Sequence, residues 1–164
     1  MDIVLRKKEI PSFDPESIAI KRIEYYPSGG TYTEEQITPK LIRKILKEVP
    51  EGIGVYLFLD PNGECDWMEV LSDGEWLSLG CYFDVDDGNE YVYTYNPNYA
   101  HTETQVDLAN YSDTNVWTDL ESGGQSPIPK LYATTELELG TKAVEYFIHT
   151  GKIYPGADWA YDKD

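Results

Sequence analysis

The sequence predicts an α+β fold: an antiparallel β-sheet meander with two main helices, at about residues 38–49 and 139–150, packed on it. Three observations lead there. Residues 54–95 read as strand-length apolar or alternating runs, punctuated by Asn62-Gly63, Asp73-Gly74 and Gly88-Asn89. The two flanking stretches repeat apolar residues at helical spacing between start and stop signals. The composition, 41% hydrophobic and 13% aromatic over 164 residues, is that of a chain able to bury a core as one domain spanning 1–164.

In chain order, residues 1–8 alternate weakly and suggest a first strand. Ile18, Ile20 and Lys21-Arg22-Ile23 suggest a second, ending at the turn Pro27-Ser28-Gly29-Gly30. Thr38 is a good N-cap and Pro39 suits the first helical position. Leu41, Ile42, Ile45, Leu46 and Val49 then line one helical face, and Lys40, Arg43, Lys44 and Lys47 take the other. Thr33 with Gln36 offers a capping box for an earlier start of the same helix.

Gly54–Asp60 is apolar on both sides, as a covered central strand should be. A hairpin centred on Asn62-Gly63 pairs Val55 with Val70 and Leu57 with Met68 on one face, and Phe58 with Trp67 on the other. From Glu75 to Asp86, Leu77, Leu79, Cys81, Phe83 and Val85 point one way; Trp76, Ser78, Tyr82, Asp84 and Asp86 point the other. A turn at Gly88-Asn89 sets Val92 opposite Val85 and places Tyr91, Tyr93 and Tyr95 beside Asp86, Asp84 and Tyr82.

Residues 96–129 are rich in Asn, Ser, Thr, Asp, Gly and Pro. Val106, Leu108, Val116 and Trp117 suggest one or two further strands, whereas Ser122-Gly123-Gly124 and Pro127-Ile128-Pro129 argue for a long surface loop. Leu131–Thr134 reads as a last strand. In the closing helix Ala143, Val144, Phe147 and Ile148 share a face, His149 falls on the exposed side of the last turn, and Gly151 suits a left-handed C-cap. Pro155 prevents resumption, and Trp159 is expected to fold back onto the core.

The net charge is −17 and is unevenly placed. Between Lys47 and Lys130 there is no lysine or arginine, and residues 48–129 carry 17 Asp and Glu; the rest of the chain balances 13 acids with 13 bases. Such a field repels nucleic acid and anionic membranes and attracts a basic protein. No stretch approaches a membrane-spanning length, and the opening MDIVLRKKEIPSFDPES has too short an apolar run for a signal-peptide core, so a cytoplasmic protein is expected.

Recognisable catalytic chemistry is sparse. Cys65 and Cys81 form neither a disulfide framework nor a zinc site and read as buried or half-buried thiols. His101 and His149 lack metal-ligand neighbours, and no phosphate loop, HExxH or CxxC occurs. DVDDGNE (84–90) has its glycine one position early for a calcium loop and is read as an acidic hairpin tip. Neither an enzyme, a metal nor a cofactor is expected. The candidate site is a partner-binding face built from Asp84, Asp86, Asp87, Glu90, Tyr91, Tyr93 and Tyr95, with Asp113, Trp117, Asp119 and Glu121 in the irregular segment. Tyrosine supplies rigid contact area and carboxylates accept bidentate bonds from arginine. Trp67, Trp76 and the tyrosines also suit stacking on sugars, so a small carbohydrate-binding or carbohydrate-active domain is the alternative, with an acidic adaptor domain as a third reading.

The closing stretch AVEYFIHTGKIYPGADW resembles the C-terminal signature of an immunity-protein family of bacterial polymorphic toxin systems, at Ala143, Phe147, Ile148, Thr150-Gly151, Pro155 and Trp159. The upstream order, a helix followed by an antiparallel meander, is also similar. The resemblance implies a small α+β protein, encoded beside a secreted or contact-delivered toxin, that neutralises it in the producing cell through a one-to-one complex. Toxins paired with that family are often deaminases acting on nucleic acid, sometimes nucleases, and such a toxin needs a basic cleft.

Overall fold

The computed structural model of the chain describes residues 1–26 and 29–163. Strand β1 is Asp2–Val4, β2 is Arg22–Tyr25 and β3 is Thr31–Thr33. The expected turn after β2 lies partly outside the described residues, at Pro27-Ser28. Helix α1 covers Pro39–Glu48; β4, β5, β6 and β7 are Ile53–Phe58, Trp67–Ser72, Leu77–Val85 and Gly88–Thr94. Then come β8 (Trp117–Ser122), β9 (Ser126–Pro129), α2 (Leu137–Thr150) and β10 (Trp159–Lys163). Eight strands make one antiparallel sheet in the order β1-β10-β7-β6-β5-β4-β2-β3, and β8-β9 form a separate hairpin. The fold is therefore α+β, with the meander at the centre of the sheet.

The helix boundaries follow their caps. The Thr38 hydroxyl accepts from Leu41 N–H at 3.2 Å, and Gly151 takes φ +72 to end α2. The Thr33–Gln36 capping box closes a separate 3₁₀ turn, Glu34–Gln36, rather than extending α1, because Ile37 and Thr38 are extended. Ala143, Val144, Phe147 and Ile148 are fully buried and meet Ile45 of α1 and its C-cap Val49 over Leu57, Met68, Val70, Leu77 and Val92 of the sheet. His149 departs from expectation. It is buried, bonded through Nδ1 to the Ser17 carbonyl at 2.7 Å and stacked on Phe13 at 5.2 Å, because residues 13–17 run across that side of α2. Cys81 is buried and Cys65 half-buried.

The β4–β5 register is the expected one, with Val55 opposite Val70, Leu57 opposite Met68 and Phe58 opposite Trp67. The connection is longer than a two-residue turn: the ladder stops at Phe58 and Trp67, and the Asp60 carboxylate gathers the N–H groups of Asn62, Glu64 and Cys65. The β6–β7 register is not the expected one. The two-residue turn is Asp86-Asp87, so Val92 lies opposite Cys81 and Tyr91 opposite Tyr82. Core burial decides it, since this register seats Val92 at 0% exposure opposite Cys81 at 2%. The displacement is four residues, an even number, so Val92, Tyr91 and Tyr93 keep their predicted faces.

The irregular segment resolves differently from the sequence reading. Val106 and Leu108 belong to no strand; they follow a 3₁₀ helix at Pro97–Gln105. Ser122-Gly123-Gly124 and Pro127-Ile128-Pro129 are the tip and second strand of a hairpin rather than a surface loop, and Leu131 falls in a 3₁₀ turn, Lys130–Tyr132. Leu120 and Ile128 pack with Leu71, Trp76 and Ala133 in a second cluster, so the hairpin covers part of the sheet face opposite the helices. No helix among the described residues is long and apolar enough to cross a membrane.

Strand β10 was not anticipated. It enters between β1 and β7, pairing Trp159 with Val4 on one side and Thr94 on the other. Trp159 is 2% exposed and its indole donates to the Tyr154 carbonyl at 2.8 Å. Replacing Trp159 with alanine is expected to remove about 3–5 kcal/mol of unfolding free energy. Chemical denaturation checks this, and a loss under about 1 kcal/mol would contradict a closing role for the residue.

Candidate functional site

Alternation along β4 to β7 points one set of side chains to the helices and the other to the outer face. On that outer face the rings form a row. Phe58 meets Trp67 at 6.0 Å, and Trp67 stacks on Tyr82 at 4.5 Å and 25°. Tyr82 contacts Tyr91 at 5.2 Å, Tyr91 stacks beside Tyr93 at 6.3 Å, and Tyr93 reaches Tyr132 at 5.7 Å. Tyr56 joins the head of the row, 6.4 Å from Trp67. Trp67, Tyr82, Tyr91 and Tyr93 are all half-buried, so the row presents ring surface to solvent.

Two boundaries define how much of this face is open. At one end the β8–β9 tip lies over Tyr56 and Tyr26, and Gly124, at φ +76, leaves no room for a Cβ, which would come 1.5 Å from the Tyr26 hydroxyl. The tip is held by Glu69, a buried carboxylate that accepts from the Ser122 hydroxyl at 2.6 Å and Gly123 N–H at 3.0 Å. At the other end stand the carboxylates of the β4–β5 and β6–β7 turns. Asp66, the one non-glycine residue with positive φ among the described residues (+55), accepts from Asp84 N–H at 2.9 Å and ties the two turns together. The Asp60 carboxyl is held below its usual range by the backbone N–H groups of Asn62 and Glu64. Its negative charge also faces Cys65, whose thiol is pushed up to about 11 by burial first and then by the Asp60 contact, which makes it a poor nucleophile.

The structure brings together only part of the predicted site. Asp84, Tyr91 and Tyr93 share the row, with Tyr82 between them. Asp86 and Asp87 occupy the turn beyond it, and Asp87 pairs with Lys163 at 3.0 Å, which lowers its carboxyl. Asp84 and Asp86 are exposed and carry no ion pair among the described residues. Glu90 sits opposite Phe83, on the helix-facing side of the sheet. Tyr95 lies past the end of β7, its N–H bonded to the Asp158 carbonyl. Asp113 is a turn residue, its carboxylate bonded to Asn115 N–H at 3.0 Å. Asp119 and Glu121 are exposed on the hairpin, alternating with buried Thr118 and Leu120. Trp117 is a correction: it is 8% exposed and packs edge-on against Tyr111. Trp76 is buried too, beneath the Lys130 ammonium at 5.3 Å, which removes it from any sugar-stacking platform.

Tyr56, Phe58 and Asp66 were missed as members of the face, and Trp67 and Tyr82, at the centre of the row, were not among the expected partner-binding residues. The signal for the first two was present, since the correct β4–β5 register already placed Phe58 beside Trp67, and Tyr56 follows by alternation. Bases lie elsewhere: Lys40, Arg43, Lys44 and Lys47 are on the exposed side of α1, whereas β4 to β9 carry none. At the edge of the face Arg22 is tied to Glu24 at 2.7 Å.

The chain matches no protein-family model, no curated protein and no solved structure.

Glu69 sets where the cover stops, so Glu69→Ala is expected to expose the Gly123 amide and the β8–β9 tip to exchange while the central sheet stays protected. Hydrogen exchange resolved by residue checks this, with an accompanying stability loss of about 1–3 kcal/mol for donors left unpaired.

Proposed function

We propose that this chain is an immunity protein of a bacterial polymorphic toxin system. In this reading it is a non-catalytic inhibitor that forms a one-to-one complex with a cognate toxin and occludes a basic, nucleic-acid-acting cleft, of deaminase or nuclease type. The observation that carries the reading is the half-open aromatic row beside unpaired Asp84 and Asp86, set in a chain segment of 82 residues without a lysine or arginine. A guanidinium stacks on Trp67 or Tyr82 while a carboxylate beside the ring takes its N–H groups, a pairing that suits arginine better than lysine. The closing signature, from Ala143 to Trp159, supports the same family. It lies in α2 and at the start of β10, away from the row, as a structural signature would.

The acidic field also has a kinetic use. Opposite potentials steer encounter, and steered association reaches about 10⁸–10⁹ M⁻¹s⁻¹ at low salt. Acting before the toxin meets its substrate demands that kind of speed.

The test is association of this chain with the toxin domain encoded beside it, at low and high salt. The wild-type on-rate is expected to fall steeply with salt, and Asp84→Lys with Asp86→Lys to slow association at least about tenfold at low salt. A double variant within about twofold of wild type would remove this face from the interface. Absence of a complex with the toxin domain would favour the sugar-stacking alternative, and a complex whose on-rate ignores salt would contradict steering by the acidic field.

A further inference from the structure

We propose that Leu108 and Tyr111 form a second docking element: a preformed apolar knob that inserts into a hydrophobic pocket, rimmed by basic side chains, on the same protein that covers the aromatic row. The inference rests on the proposed function for the partner's basic character.

Leu108 is 86% exposed and Tyr111 68%, the most exposed large hydrophobic residues among those described. A lone exposed leucine needs no explanation. Here the two are presented by a segment that is tied down at nearly every step. Leu108 and Ala109 N–H both donate to the Gln105 carbonyl, at 3.1 and 2.7 Å. The Asn110 side chain accepts from Ser112 N–H and its hydroxyl, and the Asp113 carbonyl accepts from Val116 and Trp117 N–H. Val116 is fully buried, and Lys130 N–H donates to its carbonyl at 2.8 Å.

The Tyr111 ring stands edge-on against Trp117 at 4.9 Å and 89°. The Trp117 indole N–H is buried with no hydrogen-bond partner among the described residues. Beside the pair is a hollow of about 420 Å³ lined by Val106, Asp107, Ala109, Asn110, Tyr111 and Trp117, able to receive a side chain in return. An ordered loop that leaves its apolar side chains in water has already met the entropy cost that a flexible loop would meet on binding.

Charge and continuity name the occupant. Glu103, Asp107 and Asp113 flank the knob along the chain, Asp107 lines the hollow beside Tyr111, and the nearest lysine or arginine along the chain is Lys130. Tyr132 ends the aromatic row, and its hydroxyl is pushed up by burial and then by the carboxylates of Glu103, Asp162 and Asp107. The 3₁₀ helix Pro97–Gln105, which leads directly into the knob segment, packs against the Lys130–Tyr132 turn, so the segment adjoins the row and one basic partner spans both.

The two elements differ in kinetics, which makes them separable. The acids govern encounter, whereas a buried apolar anchor governs escape. With the adjacent-gene toxin domain as the probe, Leu108→Ser and, separately, Tyr111→Ser are expected to speed dissociation at least about tenfold, with on-rate and salt slope within about twofold of wild type. Leu108 is so exposed that its variant keeps the wild-type melting temperature, which controls for folding. Unchanged dissociation, while Asp84→Lys with Asp86→Lys still slows association, would overturn the knob and leave the proposed function standing. No complex with wild-type protein would overturn both. A self-associated protein that Leu108→Ser makes monomeric would assign the knob to a second copy of this chain and overturn the proposal.

Discussion

A buried carboxylate, Asp158, joins the β1–β10 ladder in tying the first residues of the chain to its closing strand. It is 6% exposed and takes three bonds from Arg6: the backbone N–H at 2.8 Å, Nε at 3.1 Å and an Nη at 2.7 Å. Arg6 also reaches Glu136 at 2.8 Å, at the start of α2, and holds that carboxyl below its usual range. Only the carboxylate of this pair is buried, since the Arg6 side chain is 42% exposed; the pair contributes modestly to net stability, but removing Arg6 strands a buried charge. Its effect here is positional. With Asp158 fixed, Trp159 enters the core and β10 fills the place between β1 and β7. Strand β7 is then interior rather than an edge, and Tyr91 and Tyr93 stand on a strand supported from both sides.

That support gives the outer face its character. The helices seal one side of the sheet, while the β8–β9 hairpin, anchored on Glu69, seals part of the other. What remains is a row of rings ending at the acidic turns. The protein concentrates acids where it also leaves aromatic surface half-open, and carries its exposed α1 bases on the helix layer. Self-repulsion makes this a costly arrangement for a monomer. It is a favourable one for a protein that spends its working life against a basic surface, because association removes the repulsion and buries the rings together.

Strand alternation made most of this legible. The faces of the strand residues from Val55 to Val92 were readable, because the apolar period and the β4–β5 register agree; Glu90 was the exception, grouped with the outer face although it alternates with Tyr91. The β6–β7 turn was misplaced because Gly88-Asn89 is a good turn dipeptide, whereas Val92 needs a place above the core. His149 and Trp117 were misjudged for a shared reason: helical and strand periodicity report one covered side, and a chain segment crossing the other side leaves no local trace. Residues 13–17 cover His149, and the edge of Tyr111 covers Trp117. The Arg6–Asp158 closure spans 152 residues and has no local signature at all. Glu69 is a further case, an acid that reads as solvated until the hairpin tip is placed over it.

The most direct test of the acidic, aromatic face follows the tryptophan indole signals by NMR as the adjacent-gene toxin domain is added. Trp67 lies at the centre of the row and Trp159 lies in the core beneath the opposite face, so the two report different sides of one sheet. A large shift or broadening of the Trp67 indole is expected, with the Trp159 indole unmoved. A complex that forms while Trp67 stays unmoved, with the changes confined to α1 and α2, would place the partner on the helix layer and contradict that expectation.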